Sequence, residues 1–181
     1  ERIGRGRSFF VNDSYNKNEK SIDEIVSAMS SLSRQKIGAL LVIEREVGLN
    51  DIIESGTSLR SEISSELLIN IFIPNTPLHD GAVIIRNDLI EAAACYLPLT
   101  TNNTLSKELG TRHRAAIGIS EKSDCLVVVV SEETGTISLV SNGNINRYFD
   151  EQSLKDRLVK ELNYDENKLN MKRRDENEQQ K

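Results

Sequence analysis

The sequence predicts an α/β domain, a mixed β-sheet flanked by helices. Three observations carry this reading. Segments with apolar residues at helical spacing, such as Ile22, Ile25, Val26, Met29 and Leu32, share the chain with short β-branched runs such as Leu126–Ser131. The runs are bounded by Gly, Asn, Asp and Pro, which end strands and start turns. No internal repeat or Pro-rich linker interrupts the 181 residues, a length suited to one domain. With no Trp, four Phe and four Tyr, the core has to be aliphatic.

Residues 1–17 read as a loose, juxtamembrane-like N-terminus with Arg2, Arg5 and Arg7 close together. Basic residues of this kind are common beside a membrane segment on its cytoplasmic side, although on these residues alone a frayed basic terminus is the better account. Ser21-Ile22-Asp23-Glu24 has the form of a capping box and predicts a helix start there. Gly38–Ile43 reads as a buried strand, Asn50–Glu54 as a short helix stopped by Gly56, and Ser65–Phe72 as a helix ended by Pro74 and Pro77. Ala82–Arg86, the turn Asn87-Asp88 and Leu89–Leu97 form a hairpin pattern. A polar loop from Pro98 to Lys107 precedes a helix within Gly110–Ser120. Leu126–Ser131, with four consecutive valines, is the clearest strand; Thr136–Ser141 follows, with Asn142-Gly143 as a tight turn. Asp150 caps a last helix bearing Leu154, Leu158 and Leu162, and the domain is expected over residues 18–162. Residues 163–181 are almost wholly polar and charged and predict a disordered tail.

The net charge of −5 argues against a domain-wide grip on nucleic acid, while leaving room for a local basic pocket. Cys95 and Cys125 sit in apolar runs and read as reduced core residues. No apolar stretch approaches the roughly 20 residues of a membrane span. The chain opens on Glu1 and not Met, so a longer parent protein is expected.

Three segments place polar residues where apolar structure is interrupted. In Pro77-Leu78-His79-Asp80-Gly81-Ala82, a carboxylate stands at a strand entrance and the following Gly lets a ligand approach the backbone. Asp80 can hold a divalent metal or orient a hydroxyl. On this segment alone, a turn in which the Asp bonds its own backbone is the better account. In Leu109-Gly110-Thr111-Arg112-His113-Arg114, two arginines bracket a histidine at a helix start. Helix N-terminal amides, arginine forks and a hydroxyl together suit a triphosphate; a solvated basic turn, or a packed His113, is the alternative. Ser131-Glu132-Glu133-Thr134-Gly135 ends the valine strand, where α/β sheets place ligands. Its carboxylates suit a metal or a charged hairpin tip.

Taken together the segments resemble the diadenylate cyclase (DAC) domain family, specifically its membrane-associated class. The hallmark motifs stand intact as Asp80-Gly81-Ala82 and Arg112-His113-Arg114, inside the longer blocks PNTPLHDGAVI, ELGTRHRAAIGISE and VSEETG. The resemblance runs from about Ile22 to Leu162. It implies that two ATP molecules are joined into cyclic di-AMP, with Mg²⁺ or Mn²⁺ assisting. It assigns Asp80 to the attacking hydroxyl, with His79 as a further metal residue. Thr111, Arg112 and His113 go to the phosphates, and Arg114 to support of the loop. Ser131 and one of Glu132 or Glu133 line the triphosphate or metal side, and Tyr96 and Leu97 lie near the adenine.

A product with two equivalent phosphodiester links requires two facing domains, so a homodimer, transient or lasting, is expected. The resemblance also implies a membrane-bound regulator and a sugar-phosphate mutase as partners, no nucleic acid, and a parent protein at the cytoplasmic face of the membrane. A catalytically silent adenine-nucleotide-binding module is the other function class compatible with such a fold.

Overall fold

A computed structural model describes residues 8–102, 106 and 109–162, with side chains from Glu19 onward. Twelve elements follow in chain order: α1 (Ser8–Gln35), β1 (Ala39–Ile43), α2 (Asn50–Glu54), β2 (Thr57–Glu62), α3 (Ser65–Phe72), β3 (Ala82–Arg86), β4 (Leu89–Cys95), α4 (Thr111–Ser120), β5 (Leu126–Val130), β6 (Ile137–Ser141), β7 (Asn144–Phe149) and α5 (151–162). The strands form one sheet in the order β2-β4-β3-β1-β5-β6-β7. Only the β1–β3 pair is parallel; the other pairs run antiparallel, which makes the sheet mixed as expected.

Strand alternation sorts the core onto two faces. Ala39, Leu41 and Ile43 of β1, with Leu126, Val128 and Val130 of β5, meet the apolar stripe of α1, the inner face of α3, and Leu154 and Leu158 of α5. Leu40 and Val42, with Val127 and Val129, meet Ala115, Ala116, Ile117 and Ile119 of α4. Helices therefore cover both faces of β1 and β5, and every residue of these two strands is buried. Full burial of each large aliphatic side chain contributes about 1.5–3 kcal/mol, so the valine run is the centre of the fold. Both cysteines are free and buried, and burial pushes the Cys95 thiol up to about 11.

Two expectations are corrected. The helix does not begin at Ser21: α1 already runs from Ser8, within the stretch read as loose. From Ser8 to Gln35 there is no Gly or Pro, and once the packed half is nucleated each added residue gains a hydrogen bond at little further cost. Glu24, freed from capping its own helix, caps another; its Oε2 accepts the Ser65 N–H at the start of α3 (2.7 Å). Leu89–Leu97 also shortens, since β4 ends at Cys95 and releases Tyr96 and Leu97 from the sheet. The remaining helices lie where the sequence places them. Ser64 caps α3, and Asp150 and Ser153 cap α5 reciprocally. Residues 1–7, the tail 163–181 and positions 103–105, 107 and 108 of the polar loop lie outside the described residues.

Candidate active site at one end of the sheet

Register gathers the three polar segments. Ala39 of β1 pairs with Val130 of β5, Leu41 with Val83 of β3, Ala82 with Cys95 of β4, and Val130 with Ile137 of β6. Carrying these registers one or two residues outward sets Tyr96, Asp80-Gly81, Gly38 and Ser131 in a row along one end of the sheet. Segments as far apart in sequence as Gly38 and Ser131 become neighbours there, because β1 lies between β3 and β5.

The approach to β3 is built around Gly81. Its φ is +115°, and a Cβ on it would lie 2.7 Å from the Ala94 carbonyl carbon and 2.8 Å from the Cys95 oxygen. Glycine is thus required twice over, by conformation and by the close passage of β4. Ala94 itself has φ 55°, beside register shifts in the β3–β4 pair, so the two strands meet here through a bulge. Asp80 is exposed, and its carboxylate makes no hydrogen bond or ion pair with the described residues. The ring of His79 is anchored: Nδ1 donates to the Thr76 carbonyl at 2.6 Å. A carbonyl only accepts, so Nδ1 carries a proton, and in the neutral ring Nε2 is then the nitrogen whose lone pair can ligate a metal.

Gly110 is the N-cap of α4, so Thr111, Arg112 and His113 supply its first amides. These residues line a cleft of about 360 Å³, counted with the solvent open above it, together with Val130, Ser131, Glu132 and Glu133. A helix N-terminus carries partial positive charge, and Arg112 adds a full one. Its Nη1 donates to Glu132 Oε2 at 2.7 Å. His113 points inward and is 3% exposed; burial, then the positive charge of Arg147, lower its pKa, which holds the ring neutral. Its Nε2 has no hydrogen-bond partner among the described residues. Arg114 joins the loop through its backbone, its carbonyl accepting the Thr100 N–H at 3.1 Å.

On the far side of the row, Tyr96 is 74% exposed and its N–H donates to Ser55 Oγ at 3.0 Å, while Leu97 packs on the α4 side of the sheet. The segment that follows β4 then crosses α4 at Gly118, where a Cβ would lie 2.2 Å from the Pro98 carbonyl oxygen.

The structure thus brings Thr111, Arg112, His113, Ser131, Glu132 and Glu133 together in one cleft. His79, Asp80, Gly81, Ala82, Tyr96 and Leu97 stand along the same end of the sheet but do not line that cleft. Sequence reasoning missed Gly118 and Ser55 at this site, and treated Gly38 only as a strand start. A glycine within a helix or beside an apolar strand is the available signal, because it marks close approach of another group.

Fold and site define an α/β domain with an anion-attracting cleft at one end of a mixed sheet. The model of the DAC family, described as "DisA bacterial checkpoint controller nucleotide-binding", matches residues 26–145, and the chain belongs to that family. Cyclic di-AMP synthase CdaA of Bacillus subtilis (strain 168) is 53% identical over 164 residues, covering 90% of this chain and 60% of that protein. The diadenylate cyclase of Mycoplasma genitalium is 40% identical over 157 residues, covering 86% of this chain and 76% of its own. The crystal structure of a DacA double mutant from Staphylococcus aureus superposes with a TM-score of 0.78 at 50% identity, over 80% of this chain and 97% of that one. A structure titled as a hypothetical membrane-spanning protein from Bacillus cereus gives 0.68 at 50% identity, over 70% and 62%. The chain spans about 60% of the length of the CdaA relative.

Proposed function

We propose that this chain is a diadenylate cyclase domain, condensing two ATP into cyclic di-3′,5′-AMP with release of two pyrophosphates. The observation that carries the reading is the cleft at the start of α4. There the Arg112 guanidinium and the first helix amides converge beside Ser131 and Glu132, one strand away from the unpartnered carboxylate of Asp80. The relatives' names point the same way.

In this reading the cleft takes the triphosphate, with Thr111, Arg112 and the His113 amide on its oxygens and Ser131, Glu132 and Glu133 at its side. Tyr96 and Leu97 flank the adenine. Asp80 orients the ribose 3′-hydroxyl and accepts its proton as the 3′-oxygen bonds to the α-phosphorus of the opposing ATP. The bond from that phosphorus to pyrophosphate breaks in line with the attack. Two such steps, related by a twofold axis, close the ring, so the active unit is a face-to-face homodimer.

Among the described residues no three His, Cys, Asp or Glu side chains cluster as a closed metal site. Asp80 and His79 Nε2 nevertheless fit Mg²⁺ or Mn²⁺, which often take one or two protein donors and complete their shell with phosphate and water. Such an ion supplies neutralisation of phosphate charge. Among the described residues no helix is long and apolar enough to cross a membrane. Placement at the cytoplasmic face of the membrane rests on the resemblance and is a proposal for a longer parent protein. A membrane-bound regulator and a sugar-phosphate mutase belong to the same reading and rest on the resemblance alone.

The test is product identity. The purified chain with ATP and Mn²⁺ or Mg²⁺ is expected to yield a species with the mass of cyclic di-AMP, plus pyrophosphate. Specific activity should rise with protein concentration until the dimer saturates. Bound but unchanged ATP at every concentration would establish the silent binding module instead.

The role of Arg112 makes a graded prediction. Arg112→Ala should weaken ATP binding about tenfold or more, and Arg112→Lys should recover only part of it, since an ammonium keeps charge without the fork. Adenosine affinity should stay level in both. Equal ATP affinity in all three proteins would show that Arg112 is a structural residue.

A further inference from the structure

Arg112 lies against the backbone at Gly38, the residue before β1. A Cβ placed on Gly38 would stand 2.7 Å from Arg112 Cζ, 2.8 Å from Nη1 and 3.1 Å from Nε. Three atoms of the guanidinium so close to one point mean that the group rests on the bare α-carbon. Glu132 meets its Nη1 edge at 2.7 Å, and no other hydrogen bond of the Arg112 side chain occurs among the described residues. The remaining N–H groups have no protein acceptor among the described residues, and Arg112 lines the cleft.

Nothing in the backbone calls for glycine at this point. Gly38 is not among the glycines with positive φ, unlike Gly81, Gly135 and Gly143. The register also places Gly38 between Asp80 and Ser131 on the rim, so whatever occupies it decides where a charge can sit between them. The atoms nearest to a methyl group here are the far end of a long side chain, which can swing aside. The domain would keep its fold and lose the placement of one charge.

We propose that Gly38 is a positioning residue for the triphosphate: its missing side chain is the seat that aims the Arg112 fork into the cleft. This rests on the assignment of the cleft to ATP phosphates made above. Gly38→Ala should displace the guanidinium from its seat and weaken triphosphate binding, while a methyl at a position without positive φ leaves stability level or slightly raised.

The experiment measures binding of 3′-deoxy-ATP, which has no hydroxyl to attack with, and of adenosine, alongside melting temperature. Wild type, Gly38→Ala, Arg112→Ala and the double variant are compared. Gly38→Ala is expected to bind 3′-deoxy-ATP roughly tenfold more weakly, with adenosine affinity and melting temperature maintained. Added to Arg112→Ala, it should change nothing further, because its effect passes through that side chain. Unaltered 3′-deoxy-ATP affinity in Gly38→Ala overturns the proposal, as does an equal loss in the Arg112→Ala background or a lowered melting temperature. Unaltered affinity in Arg112→Ala alone would instead remove the phosphate assignment of the cleft, and the proposal with it.

Discussion

Asp80→Asn is expected to lower turnover by about 10³-fold while the fold and most of the ATP affinity remain. The swap is nearly isosteric but removes the charge that takes up the 3′-hydroxyl proton, and general-base contributions of about 10²–10⁴ are usual. Asp80 is exposed and tied to no described partner, so no buried network is broken by the change. That separates it from Gly81, whose replacement would drive a side chain into the backbone at Ala94 and Cys95. The substitution sets Asn before Gly, a pair prone to deamidate back to Asp, so Asp80→Ala serves as a second variant. Steady-state formation of cyclic product and calorimetric ATP binding read the two effects separately. Turnover within a few-fold of wild type in both variants would take Asp80 out of the mechanism.

Gly118→Ala carries the largest expected effect on stability. Alanine is the better helix former by about 1 kcal/mol, which alone would favour the change. Against this, the new Cβ would lie 2.2 Å from the Pro98 oxygen, 2.6 Å from the Thr100 nitrogen and 2.7 Å from the Leu99 carbonyl carbon. These are backbone atoms, held by the Thr100 N–H to Arg114 carbonyl bond and by the Thr100 hydroxyl on Glu121. They cannot swing aside as an arginine tip can. Overpacking of this kind costs about 1–3 kcal/mol or more, and the clash wins. A net loss of about 2 kcal/mol should lower the melting temperature by roughly 4–8 °C for a chain of this size. Since the displaced segment leads directly from Tyr96 and Leu97, adenosine affinity should fall as well. A melting temperature at or above that of wild type would mean that the 98–100 segment yields without cost.

The elements legible in the amino-acid pattern are those whose burial is complete or whose caps are local. The four valines of β5, the apolar stripe of α1 and the Asp150 start of α5 each carry their signal within a few residues. The strands that the pattern does not reveal are β2 and β7, the two edges of the sheet. Both alternate between exposed and half-buried positions and are rich in polar residues. Each also contains a residue at positive φ, Arg60 at 50° in β2 and Tyr148 at 69° in β7, beside register shifts against β4 and β6. Polar edge strands offer few apolar residues to alternate, so a hydrophobic-period count passes over them where pairing with a neighbour defines them.

The candidate site residues are legible in the sequence: His79-Asp80-Gly81, Thr111-Arg112-His113 and Ser131-Glu132-Glu133 are recognisable as interruptions of apolar structure. So are the aliphatic centre of the sheet and the turns at Asn87-Asp88 and Asn142-Gly143, whose φ values of 50°, 58°, 50° and 73° suit the residues found there. It took the folded chain to show that β1 separates β3 from β5, that β1 runs parallel to one and antiparallel to the other, and hence that these segments share one end of the sheet. The same holds for Glu24 on the start of α3 and for Arg112 on Gly38. The reason is physical. Helical and strand periods, caps and turns arise from contacts within a few residues and leave a mark in the local pattern. Strand order and register arise from which apolar faces can be buried together across a hundred residues, and a glycine that makes room for a distant arginine looks, in sequence, like any other.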